Sequence, residues 1–153
     1  MPESIAIDRM RVVAIVATEP SRELQRIERA LVSIANQERA PDDLIVVVDH
    51  PRVAVTDATA EARAHAARVE SLTAAVFDTK CAVTTTVLVN SRTKNVSGTG
   101  CWNTGIMYAI AECGLCTNPM EEDCDCFVSI LDDDDEWKPS HIRLCVESVV
   151  AER

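Results

Sequence analysis

Five consecutive acids, Asp132-Asp133-Asp134-Asp135-Glu136, follow directly on the apolar run Phe127-Val128-Ser129-Ile130-Leu131 and stand just before Trp137. Adjacent carboxylates repel one another and disfavour a compact chain, so folding alone does not account for them. A bound cation removes the conflict. Carboxylates are hard oxygen ligands suited to Mg²⁺ or Mn²⁺, ions that keep several waters and take up substrate phosphates. The stretch therefore suggests a metal-diphosphate site at a strand end. A calcium EF-hand starting at Asp132 fails, because its sixth and twelfth positions hold Trp137 and Arg143 rather than Gly and Glu. The plainer alternative is a solvated acidic turn that caps the following helix and interacts with its dipole.

The rest of the chain supplies a scaffold for such a site. Residues 11–17 form a continuous apolar run, the pattern of a strand buried on both faces. Ser21 is the expected N-cap of a helix reaching about residue 36, with Leu24, Ile27, Leu31 and Ile34 at helical spacing. Residues 44–48 form a second buried strand ending at Asp49. An Ala-rich helix is expected over 56–75, with Ala62, Ala66, Val69, Leu72 and Val76 on its apolar face and His65 at its surface. A β-branched third strand covers 81–89. A glycine-bearing loop with Gly98 and Gly100 leads into a helix whose stripe is Trp102, Ile106, Ala109 and Ile110. The fourth strand is 126–131, and a last helix runs over 139–151 with Ile142, Cys145, Val146, Val149 and Val150 inward.

This alternation predicts a single α/β domain over 1–153, with a mostly parallel sheet covered by helices on both faces. Ligands of such sheets bind beyond the carboxyl ends of the strands, where strand order reverses. Thr18, Asp49 and Asp132 all follow strand ends and can share one crevice. A formal charge of −10 argues against nucleic acid or anionic lipid as a partner and requires a cation to bring in an anionic substrate. No apolar run reaches the length of a membrane span, and the first ten residues lack a signal-peptide core, so the expected location is cytoplasmic.

Taken in order, residues 12–21, the helical segment Leu31-Val32-Ser33-Ile34-Ala35-Asn36-Gln37, the strand 44–49, Asn103-Thr104-Gly105-Ile106 and the acidic stretch 131–137 resemble the amino-terminal half of family 2 glycosyltransferases, enzymes with the GT-A fold. The resemblance implies a strand order of 3-2-1-4 and a nucleotide-diphospho-sugar donor, UDP-linked being the commonest choice, held with Mn²⁺ or Mg²⁺. It implies that Thr18 and Glu19 line the base pocket, that Asp49 accepts a hydrogen bond from the base, and that Asn103 lies near the nucleotide. It further implies that Asp132 is shared between ribose and metal, that Asp134 is the main metal ligand and that Asp135 assists as a third. A divalent ion would offset the negative charge that builds on a diphosphate leaving group.

Such enzymes commonly carry Ala-Arg-Asn where this chain has Cys101-Trp102-Asn103, so a basic side chain must come from elsewhere, with Arg92 and Lys94 as candidates. The chain stops one helix after the acidic motif. No catalytic acid or base is assigned, and the acceptor and its binding elements are unknown. The sequence alternatives are a fragment, one part of a split enzyme, or a domain completed by a partner domain or chain. The rival functional class is a noncatalytic nucleotide-binding or interaction module derived from a truncated transferase. A nucleotidyltransferase is disfavoured because 18–22 lacks a Gly-rich basic phosphate loop.

Seven cysteines in a chain without an export signal read as reduced thiols. The spacing of Cys113, Cys116, Cys124 and Cys126 would suit a structural Zn²⁺ site as the minority alternative, and reduced, partly buried thiols are the favoured reading. His50 is expected to be a solvated loop residue beside Asp49. His141 is expected in the first turn of the last helix rather than on a metal.

Overall fold

A computed structural model describes residues 10–50, 57–78, 82–90, 99–113 and 126–152. Strands β1 (Arg11–Thr18), β2 (Asp43–Val48), β3 (Thr84–Val89) and β4 (Cys126–Asp132) alternate with helices α1 (Leu24–Ala35), α2 (Ala58–Phe77), α3 (Thr99–Glu112) and α4 (His141–Ala151). All strand pairings among these residues are parallel, and the order is β3-β2-β1-β4. This is the α/β arrangement and the 3-2-1-4 order expected from the sequence.

The two apolar runs occupy the centre of the sheet because both of their faces have somewhere to go. Ala14 and Val16 of β1 pack with Ile27, Leu31 and Ile34 of α1 and Ala62 and Val69 of α2. Val12 packs with Ile142 and Val146 of α4. Val13, Ile15 and Ala17 point the other way, into a cluster with Cys101 and Ala109 of α3. Side chains alternate along a strand, so α1, α2 and α4 cover one face and α3 the other. Among the described residues, no helix is long and apolar enough to cross a membrane.

Local details depart from the sequence reading in four places. Ser21 does not cap α1: its hydroxyl donates to Glu19, the Arg22 N–H bonds the Glu19 carbonyl at 3.0 Å, and the helix starts two residues later with Glu23 at its N-cap. Asp57 caps α2 by accepting from the Ala60 N–H at 2.9 Å. His65 lies inside rather than on the surface, because it shares a helical face with the buried Ala62, Val69 and Thr73. Burial, with a smaller contribution from Arg68, lowers its pKa and favours the neutral imidazole. On α3 the fully buried residues are Cys101, Gly105 and Ala109, while Trp102 and Ile106 are half-buried.

Gly105 sets how closely α3 lies on the sheet. A Cβ there would stand 2.7 Å from Ile15 Cγ2 and 3.3 Å from its Cδ1. Ile15 is fully buried in β1 and has little room to move. Gly105→Ala gains about 1 kcal/mol of helix propensity but incurs about 1–3 kcal/mol of overpacking. The expected outcome is a net loss of stability of up to about 2 kcal/mol in urea unfolding; increased stability would show that the contact does not set the spacing.

Candidate functional site

The strand order reverses between β1 and β4, and the chain segments leaving those strands are tied to each other. Asp49 N–H donates to the Thr18 carbonyl at 2.8 Å, and Asn90 N–H donates to the Val48 carbonyl at 2.8 Å, so three strand ends form one shelf. Thr18 Oγ1 donates to Asp133 Oδ2 at 2.7 Å across the reversal point. Beside this bond lies a cavity of about 320 Å³ lined by Thr18, Glu19, Arg22, Asp49, Trp102 and Asp132, with Ala17, Cys101, Asp133 and Asp134 completing the wall. The volume is at the small end of ligand pockets.

The acid run divides by direction. Asp135 N–H bonds the Asp132 carbonyl at 3.2 Å, closing a tight turn that points Asp133 inward. Asp133 is only 4% exposed, whereas Asp132, Asp134 and Asp135 face solvent with carboxylate oxygens within 4.8 Å of one another. Three convergent carboxylates provide the hard oxygen ligands that Mg²⁺ or Mn²⁺ prefers, so the residues fit such an ion. Burial, and then its neighbours Asp134 and Asp135, raise the Asp132 pKa; burial also raises that of Asp133, against the Thr18 hydroxyl and Arg22, which lower it.

The turn is held from behind by α1 and the residue just past its C-cap. Ser33 Oγ accepts the Trp137 N–H at 3.1 Å. Gln37 Nε2 donates to the Lys138 carbonyl at 2.8 Å while its Oε1 accepts the Ile142 N–H at 3.0 Å. Trp137 in turn stacks on His141, with centroids 4.7 Å apart. His141 is the first residue of α4, as expected, and lies outside the carboxylate group.

Asp49 is positioned with comparable care. Its Oδ1 accepts from the His50 N–H at 2.9 Å and from Asn90 Nδ2 at 3.1 Å, and Thr104 Oγ1 donates to Asn90 Oδ1 at 2.8 Å. Cys101 borders the same network. Burial, followed by the negative Asp49, pushes its thiol up to about 12, so it remains protonated and is a poor nucleophile at neutral pH.

Thr18, Glu19, Asp49, Asp132 and Asp134 thus share one cavity, with Asp135 beside them in the carboxylate group. Asn103 does not join them: it is exposed on α3 and is absent from the lining. Trp102, whose core role was the stronger sequence reading, is half-buried and contributes to the wall. Sequence reasoning missed Asp133 and Arg22. Arg22 is a basic side chain in the cavity lining, while Arg92 and Lys94, the basic candidates from the sequence, lie outside the described residues. Cys116 and Cys124 of the proposed zinc group also lie outside them, while Cys113 and Cys126 are free thiols.

No family model matches this chain, and neither a curated protein nor a solved structure is significantly similar to it.

The bond from Thr18 leads to a pH-dependent expectation. It favours ionised Asp133, so Thr18→Val raises the carboxyl pKa further and leaves a buried charge short of a donor. The loss of stability should be about 1–3 kcal/mol at pH 7 and should shrink near pH 4 as Asp133 takes up a proton. Urea unfolding at both pH values checks this, and an equal deficit at the two would rule out the charge as its cause.

Proposed function

We propose that this chain carries the donor site of a glycosyl-transfer enzyme, binding a nucleoside-diphospho-sugar together with Mn²⁺ or Mg²⁺ for transfer of the sugar to an acceptor. The observation that carries the reading is convergence. Thr18, Asp49 and the acidic turn come from three separate strand ends, yet border one cavity at the reversal of strand order. A merely solvated acidic turn requires neither the fixed Asp49 nor the buried Asp133. The motif resemblance of residues 12–21, 31–37, 44–49, 103–106 and 131–137 adds the identity of the ligand, with a UDP-sugar as the leading choice.

In this reading Thr18 and Glu19 border the base and Asp49 accepts its N–H, an assignment favoured by the two donors that already fix Asp49 Oδ1. Asp132 serves ribose and metal, and Asp134 and Asp135 complete the carboxylate ligands. When bound, the ion supplies Lewis-acid stabilisation of the departing diphosphate. The protein's part is to hold the carboxylates in a turn anchored by Ser33 and Gln37 and to orient the base edge. The acceptor site belongs to residues or chains not assigned among those described.

Calorimetric titration with UDP and GDP, with and without Mn²⁺, tests this donor site. The expected result is metal-dependent binding of one nucleotide, weakened at least about tenfold by Asp134→Ala, the scale of losing one buried or bridging charge contact. A folded chain that binds neither nucleotide under any of these conditions would sink the reading.

A further inference from the structure

Arg22 stands among the carboxylates without being fastened to any of them. Its Nε lies 3.7 Å from Glu19 Oε1 and 3.9 Å from Asp133 Oδ1, and its Nη1 lies 3.7 Å from Asp134 Oδ2. All three separations are too long for hydrogen bonds. The guanidinium has none among the described residues, although it carries five donors in a planar fork. It lines the cavity and is 29% exposed, so charge holds it there while the lack of directed bonds among the described residues leaves it free to turn.

We infer that Arg22 is a built-in counter-ion that couples metal binding to diphosphate binding at the acidic turn. The inference rests on the donor-site reading above. A divalent ion arriving alone meets carboxylates already partly neutralised by Arg22, and it meets a like charge beside them. A diphosphate arriving alone meets the carboxylates of Glu19, Asp132, Asp133 and Asp134, which repel it. When the two arrive together, the ion takes the carboxylates and the phosphate oxygens receive the freed guanidinium, whose fork suits bidentate contact with phosphate. Each ligand therefore tightens the other, and linkage requires the two effects to be equal. Arg22 acts through contact with phosphate and carboxylate and has no part in breaking the sugar bond.

The test measures free Mn²⁺ by its electron paramagnetic resonance signal, with Mn²⁺ alone and with saturating UDP, on wild type, Arg22→Gln and Arg22→Lys. In wild type, UDP should tighten Mn²⁺ about tenfold or more, within the range usual for coupled sites. Arg22→Gln should bind Mn²⁺ alone about tenfold more tightly than wild type and lose most of the effect of UDP. Arg22→Lys keeps the charge but not the fork, so metal-alone binding should stay weak while the coupling falls. That variant keeps the inference open to refutation if Arg22→Gln does not fold. Unchanged metal-alone affinity in a folded Gln variant, or undiminished coupling in the Lys variant, would overturn the inference, and with wild-type UDP binding intact the donor-site reading would stand. A gain of Mn²⁺ by Arg22→Gln, with no UDP binding by any variant, would overturn the inference, because no diphosphate is then coupled to the metal. Absence of Mn²⁺ binding by all three folded proteins would refute both.

Discussion

Repulsion among the carboxylates at the end of β4 is the constraint around which the site is built. Unit charges about 4 Å apart interact by about 1 kcal/mol in water and about 4 kcal/mol at an effective dielectric of 20, so a turn that gathers them needs support from elsewhere. Thr18 supplies it from the neighbouring strand by donating to the buried Asp133. Ser33 in α1 and Gln37 just beyond its C-terminus supply it by taking up the backbone donors and acceptors of 137–142. These contacts are long-range in sequence, and they join the acidic turn to parts of the chain that fold around the central strands. The Ser33 and Gln37 positions within the helical motif thereby acquire a physical reason: they are buried polar side chains whose partners lie about a hundred residues away.

The central strands were legible because burial on both faces leaves a plain mark, an unbroken apolar run, at 12–17 and 44–48. Their order was what the family resemblance implied, whereas the alternation of strands and helices gave only a mostly parallel sheet. The convergence of Thr18, Asp49 and Asp132 was legible for the same reason, since each residue sits where a strand stops. Less could be read where several residues offer the same chemistry. Within four consecutive aspartates nothing in residue type marks Asp133 as the buried one; the backbone bond from Asp135 to Asp132 decides it. Arg22 escaped notice because its relevance arises only when a turn after β1 meets a turn after β4. His65 was placed outside on polarity, although its helical spacing from Ala62 and Val69 was the better guide.

The raised pKa values of Asp132 and Asp133 have a definite consequence for the whole domain. A carboxyl whose folded-state pKa exceeds its unfolded value contributes stability below the ordinary Asp range, near pH 3.9, and loses that contribution as pH rises through the folded value. At neutral pH the acidic turn therefore opposes folding, unlike a salt-bridged carboxylate. Arg11 and Asp43 at the opposite end of the sheet provide the contrast. Arg11 Nε bonds Asp43 at 2.8 Å, so that pair closes its charge locally. The site end keeps an excess of negative charge and draws its stability from the aliphatic core beneath it. Any cation that binds the native turn and not the unfolded chain moves the equilibrium back toward the fold by mass action. If the proposed divalent ion binds there, stability is coupled to occupancy of the site through the same crowded carboxylates that would ligate it.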